Sequence, residues 1–233
     1  MITPEHQKRR LKPLCRTRWV ESNEAYVTFR ELLHPIVRTL DMIADEGGDS
    51  GVRANELRSA ICKCDFVVSL FVTERFAALF LPLSIQLQSK DLDIFEAREA
   101  IDSMAELLQD SRKTAGPDFK KLYRDATAAC AELEIDVSLP RRCDRQTHRE
   151  NYAVDSVEDY FRVSIYPPYL HQLIEEFGAL FKDIQENALK LQFLVPKFIE
   201  RSSFDDLVDA FAFYEADLRC SNSAQCFRTY NYS

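Results

Sequence analysis

The stretch FVVSLFVTERFAALFLPLSIQL, residues 66–87, is the most apolar part of the chain and decides its fold. Glu74, Arg75 and Pro82 interrupt it, so each uncharged piece is too short to span a bilayer. The stretch is therefore interpreted as a buried helix, expected to run from about residue 54 to 81 and to stop at Pro82. Apolar residues around most of its circumference predict a central position in the fold.

Helical periodicity continues on both sides of this stretch. Ser22 is the predicted N-cap of a first helix whose apolar stripe runs to Ile43, with Pro35 as the point of a kink. The glycines of EGGDSG, residues 46–51, end this helix. Asp93 and Glu96 have capping-box spacing and open another helix. The remaining helices are expected at about 118–134, from 156, at 168–195 and at 203–218.

The expected architecture is an all-α, multi-helix bundle. The 233 residues are 46% hydrophobic and 29% charged, and they include only 5 Gly and 9 Pro. Such a composition is typical of a helix-rich globular protein rather than of a disordered chain. We divide the chain into a basic segment (1–21), a helical domain (22–218) with an irregular connector (135–155), and an irregular tail (219–233).

The expected cellular location is inferred from the first twenty residues and from the cysteines. The first twenty residues contain no apolar signal region, and seven cysteines in such a chain point to reduced thiols. We expect a nuclear or cytoplasmic protein without a membrane partner.

The charge is distributed unevenly along the chain. The net charge is −8, yet residues 1–20 hold six Lys or Arg against one Glu, and residues 141–149 hold four Arg against one Asp. Local basic regions matter more for binding than the total charge.

Catalytic patterns are not apparent in the sequence. None of the four histidines lies in an HExxH frame, no glycine-rich phosphate loop is present, and the cysteines form no zinc-type spacing. Asp205, Asp206 and Asp209 form an acidic cluster that could hold Mg²⁺, but Asp205 and Asp206 are better explained as carboxylates in the first turn of a helix capped by Ser203. We therefore expect no enzyme activity, no metal, no cofactor and no small-molecule substrate.

Two segments remain as binding candidates. In LCRTRWVESNEAY, residues 14–26, the single tryptophan Trp19 follows Arg16 and Arg18. An indole beside arginines can stack on an unpaired base while the guanidinium groups bind phosphate, although Trp19 packed against the first helix is the alternative. The second segment is PRRCDRQTHRENY, residues 140–152, which can bind phosphate or an acidic partner, or form a solvated loop.

The order of several blocks resembles a known superfamily. LCRTRWVESNEAYVTFRELL is followed by LSIQLQSKDLDIFEAREAIDSM, by IDVSLPRRCDRQTHRENYAVDSVEDYFRVSIYPPYLHQLIEEF and by FYEADL. This succession, and the PRxxxRQxHRxN block within it, is similar to hAT-superfamily transposase-like proteins, and most of all to the zinc-finger MYM-type proteins and the repressors of the inhibitor of the protein kinase. The resemblance covers about residues 11–218.

This resemblance implies a fold and a set of contact residues. In the superfamily, an RNase H-like domain holds three metal-binding acids, and a large helical domain is inserted between the second and third. The chain resembles that insertion without the RNase H-like core, so we expect it not to cut or join DNA. The resemblance makes Arg18 and Trp19 the matching contact pair. Together with the basic residues around them and in the second segment, the candidate nucleic-acid contacts are Arg16, Arg18, Trp19, Arg141, Arg142, Arg145, Gln146, His148 and Arg149.

Two functions follow as hypotheses. The first is a non-catalytic interaction module that binds protein partners or related transposase-like proteins. The second is residual binding of hairpin or single-stranded DNA through Trp19 and the arginine-rich segments. A transposon remnant without a selected function is a third reading.

Overall fold

The computed structural model describes residues 10–12, 19–139 and 155–183, together with Phe204, Asp205, Val208 and Ala212. Within these residues the chain forms seven α-helices and no strand, so the predicted all-α class is confirmed. The helices are α1 (Trp19–Glu31), α2 (Leu33–Glu46), α3 (Gly48–Ile61), α4 (Cys64–Leu87), α5 (Ile94–Lys113), α6 (Ala115–Glu132) and α7 (Val157–Asp183).

Helix α4 is the central helix of the bundle, as its composition predicts. It contacts α1, α3, α5, α6 and α7. Val67 and Val72 are fully buried, and the ring of Phe76 lies 5.4 Å from that of Tyr166 on α7. By length and composition α4 is also apolar enough to cross a membrane, but 44% of its most apolar window is buried inside the fold.

The predicted bounds of this helix were wrong at both ends. A bend at Cys62 and Lys63 separates α3 from α4, so one predicted helix is two. At the other end α4 continues through Pro82 to Leu87. Proline removes one backbone hydrogen bond, to the carbonyl of Ala78, but both residues are exposed and water can bind that carbonyl. Continuing the helix buries Leu83, which favours the longer form.

The first predicted helix is also two helices. Helix α1 begins at Trp19 rather than after Ser22, so Trp19 lies within the helix and not before it. The chain turns at Leu32 before α2 begins. Pro35 lies in the first turn of α2, where its missing N–H is tolerated, so it does not kink a continuous helix. Helix α2 ends at Glu46, and the Gly47 that follows has a φ of 74°, which suits glycine, as EGGDSG predicts.

Helices α5 and α6 follow the predicted pattern closely. Ile101, Met104 and Leu108 form a buried stripe along α5. The Asp93 Oδ1 accepts a 2.9 Å hydrogen bond from the Glu96 backbone N–H, which is half of the predicted capping box. Helix α6 begins at Ala115, three residues before the expected start.

Helix α7 runs without a break where two helices were expected. Pro167 and Pro168 lie inside it, and both are exposed. Tyr166 and Leu170 on the opposite side are buried in the core, so their packing extends across the prolines. The predicted start at Ser156 is confirmed, because the Ser156 Oγ accepts a 3.1 Å hydrogen bond from the Asp159 N–H.

The remaining predicted segments lie mostly outside the described residues. This applies to the continuation of the helix towards residue 195, to most of 203–218 and to the tail 219–233. Phe204 and Asp205, at the predicted start of the last helix, are helical and exposed. The three-part division of the chain stays a prediction.

Candidate interaction surfaces

The residues predicted to contact nucleic acid lie almost entirely outside the described part of the chain. Trp19 is the first residue of α1, but its side chain is not among those described. The other predicted residues outside the description are Arg16, Arg18, Arg141, Arg142, Arg145, Gln146, His148 and Arg149. Their binding role therefore remains a prediction.

The two ends of the arginine-rich connector are nevertheless fixed. The chain leaves α6 through a turn in which the Ile135 N–H donates a 2.9 Å hydrogen bond to the Cys130 carbonyl. It is described as far as Leu139 and again from Asp155, just before the Ser156 cap of α7. The connector thus joins the end of α6 to the beginning of α7.

An apolar groove lies between α1 and α4. Its volume is about 550 Å³, which lies within the range of ligand and peptide sites. The lining residues are Leu11, Lys12, Ala25, Tyr26, Phe29, Ile61, Phe66, Ser69, Leu70 and Thr73. The rings of Phe29 and Phe66 meet edge to face, with centroids 6.1 Å apart.

The spacing of the lining residues explains the shape of this groove. Phe66, Ser69 and Thr73 follow one another at three- and four-residue steps, so they line one face of α4. Two turns of helix give the groove a length of roughly 10 Å. Small side chains at Ser69 and Thr73 leave the space that larger residues would fill. An ion pair between Lys12 and Glu24 holds residues 10–12 beside α1, so that Leu11 forms part of the rim.

Polar contacts lie below the groove, where side chains of α1 and α7 meet the neighbouring turn of α4. Arg30 on α1 forms an ion pair with Glu74, and burial raises the pKa of the Glu74 carboxyl while Arg30 partly opposes that rise. Burial also raises the pKa of Tyr169, whose hydroxyl is hydrogen-bonded to Thr73. These contacts fix α1, α4 and α7 relative to one another, so the groove is preformed.

A second groove, with basic residues, lies between α6 and α7. Its volume is about 650 Å³. It is lined by Pro117, Lys120, Lys121, Tyr123, Arg124, Thr127 and Glu158. Arg124 pairs with the neighbouring Asp125, whereas Lys120 and Lys121 have no ion-pair partner among the described residues. Three cations against one carboxylate give this groove a positive lining in an acidic protein.

A metal centre has no support in the described residues. Nowhere in 10–12, 19–139 or 155–183 do three His, Cys, Asp or Glu side chains come together as metal ligands would. Asp205, one of the three acids considered from the sequence, is exposed. Asp206 and Asp209 lie outside the described residues.

Sequence reasoning did not identify either groove. The sequence feature that indicates the α1–α4 groove is the aromatic pair Tyr26 and Phe29 on α1. It lies opposite a face of α4 that carries the small hydroxyl residues Ser69 and Thr73. For the α6–α7 groove, the signal was the spacing of Lys120, Lys121 and Arg124, which places three cations on one side of a helix. A sequence alone does not show which helices lie next to each other, so neither signal could be assigned to a concave surface.

The fold defines the chain as an all-α helical-bundle protein, and two relatives show which protein it resembles. Over 223 residues it is 24% identical to the 52 kDa repressor of the inhibitor of the protein kinase of Mus musculus, covering 92% of this chain and 29% of the relative. Over 218 residues it is 25% identical to the Homo sapiens protein of the same name, covering 89% of this chain and 28% of the relative.

The chain therefore spans less than a third of the length of these curated relatives. No family model matches the chain. No solved structure matches it either.

Proposed function

We propose that this chain is a non-catalytic helical interaction module of the hAT-transposase-derived type, and that it acts in regulation through contacts with other proteins. The similarity to a repressor over about nine-tenths of the chain supports a regulatory role. As part of the same proposal, the protein works in the nucleus or the cytosol.

The α1–α4 groove is the observation that carries this proposal. A preformed apolar groove about two helical turns long fits an amphipathic helix that presents apolar side chains at i, i+4 and i+7. The aromatic residues Tyr26, Phe29 and Phe66 are suited to anchoring such side chains, because aromatic residues dominate the energetics of protein interfaces.

The proposed partner is a related full-length protein of the repressor type. The curated relatives contain more than twice as much chain outside the matched region as inside it. A helix from that additional chain is the proposed occupant of the groove. This choice makes the proposal testable with one defined protein, the human relative.

The test measures binding of the purified chain to the purified human relative by isothermal titration calorimetry. Ser69→Arg places a long charged side chain in the groove and is expected to weaken binding at least tenfold. Ser59→Arg is the matched control, because Ser59 is exposed on α3, away from the groove lining. Equal affinities of the two variants, or a wild-type chain that stays monomeric and unbound, would contradict the proposal.

Nucleic-acid binding is a second candidate function, supported by the position of the α6–α7 groove. Glu158 of this groove lies three residues after Asp155, where the arginine-rich connector rejoins the described chain. Arg149 is six residues before Asp155, so the extended chain between them spans at most about 20 Å. The connector arginines can thus reach the neighbourhood of Lys120 and Lys121, and together they would form one basic surface.

Fluorescence of Trp19, the single tryptophan, tests this second candidate. A DNA hairpin with an unpaired base at its tip is expected to quench the emission at low salt, and the quenching should disappear as salt rises. Lys120→Gln/Lys121→Gln should weaken binding severalfold and reduce its salt dependence. Lys63→Gln/Lys90→Gln, at two other exposed lysines, is the control. Emission indifferent to DNA at low salt would eliminate this function.

A further inference from the structure

The basic α6–α7 groove contains an aromatic ring among its cations. Tyr123 lines this groove together with Lys120, Lys121 and Arg124, and Glu158 is the lining residue on α7. The second candidate function uses the cations of the groove and leaves the ring without a role.

Two buried rings hold Tyr123 in the wall of the groove. Phe119, one turn earlier on α6, is fully buried, and its ring is stacked with that of Tyr123 at a centroid distance of 5.9 Å and an interplanar angle of 24°. The Phe161 ring of α7 is 1% exposed and lies 6.3 Å from Tyr123. Tyr123 itself is half-buried, so the core fixes a ring that forms part of the groove surface. A ligand that stacks there meets a preformed surface, and little side-chain freedom is lost on binding.

Polar side chains extend along the same groove. Lys120, Lys121, Arg124 and Thr127 line it, and from the first to the last of them α6 rises about 10 Å. This length matches about three stacked nucleotides, which are spaced at about 3.4 Å along one strand. The Thr127 hydroxyl donates a 2.9 Å hydrogen bond to the Arg124 carbonyl, so its oxygen can still accept a hydrogen bond from a ligand. The groove therefore offers cations, a ring and a polar acceptor within the reach of one short strand.

We propose that the α6–α7 groove is a single-strand nucleic-acid site, in which Tyr123 stacks on an unpaired base while Lys120, Lys121 and Arg124 bind the phosphates. The inference rests on the second candidate function and adds the base-stacking residue of that surface. Aromatic side chains beside a basic groove are the combination with which proteins bind single strands of any sequence. The bases of an intact duplex are stacked between their neighbours, so a ring in a concave wall cannot reach them.

An acidic peptide is the alternative ligand of a basic groove. Its carboxylates would meet Lys120 and Lys121, but it brings no flat aromatic group to Tyr123. Glu158 can accept a hydrogen bond from an amino group of a base or from a sugar hydroxyl, whereas an ionised acidic side chain has no donor to offer it. A single strand therefore uses more of the groove lining than an acidic peptide does.

Photo-crosslinking locates the stacked base in the full chain. A short oligothymidylate that carries one 5-iodouracil is bound at low salt and irradiated, and the cross-linked residue is identified by peptide mass mapping. The expected cross-link is at Tyr123. A cross-link at Trp19 alone would overturn this inference and leave the second candidate function intact. Absence of nucleic-acid binding at low salt would overturn both.

Fluorescence anisotropy with a labelled oligothymidylate separates the ring from the charges. Tyr123→Leu keeps an apolar contact with Phe119 but removes the ring, so it should weaken binding about fivefold or more. The salt dependence of binding should not change, because it reflects the number of phosphate contacts. Tyr123→Phe retains the ring and should bind nearly as well as the wild type. Tyr160→Leu is the matched control, because Tyr160 is also half-buried and its ring meets Phe161, but it does not line the groove.

Two further results would contradict the inference. One is a Tyr123→Leu protein that binds the oligothymidylate as tightly as Tyr160→Leu does. The other is a wild-type protein that prefers polyglutamate, or an intact duplex, to an oligothymidylate of equal charge, which would indicate an electrostatic site without stacking. The cross-link on the wild-type protein decides the question even where Tyr123→Leu does not fold.

Discussion

Arg30 of α1 and Glu74 of α4 form an ion pair, with 2.9 Å between Arg30 Nε and Glu74 Oε2. The Glu74 side chain is only 13% exposed, and the Arg30 guanidinium carbon lies 5.3 Å from the centre of the Phe71 ring. The pair thus fixes α1 on α4 directly below the apolar groove. A carboxylate in this position has lost much of its water, and one arginine compensates for only part of that loss.

Glu74→Gln should change the pH dependence of stability. The folded-state pKa of Glu74 lies above its unfolded value, mainly because of burial. The wild type is therefore most favoured, relative to the Gln variant, below the unfolded pKa, and this advantage declines as pH rises through the folded pKa. Urea unfolding from pH 4 to pH 7 should show the variant gaining stability relative to the wild type. Glu56→Gln, on the exposed face of α3, is the control. Parallel curves for wild type and Glu74→Gln would contradict this prediction.

Phe76→Ala should remove the central aromatic contact of the bundle. The Phe76 ring is 2% exposed and lies 5.4 Å from Tyr166 and 5.7 Å from Tyr169. Removing a buried phenyl ring leaves a cavity and costs about 3–5 kcal/mol, a large part of the stability of a typical domain. Chemical denaturation should show this loss. Leu107→Ala, at a side chain that is 43% exposed, should cost less than half as much.

The sequence was informative about helices and much less so about their ends. Apolar residues around most of its circumference predicted the central position of α4, because a helix that is apolar on most sides must be covered on most sides. Pro82 was taken as a helix end and Pro168 as a helix start, but helices continue through both. The reason is tertiary: each proline lies on an exposed face, while Leu83 and Tyr166 on the buried face hold the helix together.

The candidate surfaces were less predictable than the fold. Each groove is formed by residues from helices that are distant in sequence, as Phe29 and Phe66 are, and periodicity does not show which helices become neighbours. The sequence shows residue types, such as the arginines of the connector, but it does not show where those side chains lie in the folded protein.

Gly51→Ala should separate α2 from α3. A Cβ atom at Gly51 would lie 3.1 Å from the Ala44 carbonyl oxygen and 3.2 Å from that of Ile43, so two backbones would have to move apart. This strain should outweigh the better helix propensity of alanine and destabilise the protein by about 1 kcal/mol.

Gly178→Ala is the matched substitution, and its expected effect has the opposite sign. Gly178 lies inside α7, and a Cβ atom there meets nothing within 4 Å. Alanine should therefore stabilise the protein by about 0.5–1 kcal/mol. Thermal unfolding of both variants checks the pair of predictions, and a Gly51→Ala protein as stable as Gly178→Ala would show that α2 and α3 are free to separate.

Asp93→Ala should weaken the start of α5, because the Asp93 Oδ1 accepts the Glu96 N–H at 2.9 Å and so satisfies one of the first free N–H groups of the helix. Loss of an N-cap lowers the free energy of unfolding by about 1 kcal/mol in typical helices. The whole fold should lose stability here, because the buried stripe of α5 packs against α4 and α7. Asp93→Asn keeps an accepting oxygen at the same position and removes only the charge, so it should retain most of the stability. Amide hydrogen exchange in the first turn of α5 distinguishes the two variants: faster exchange in Asp93→Ala alone indicates a hydrogen-bonded cap. Equally fast exchange in both would mean that the carboxylate acts on the helix dipole rather than as a cap.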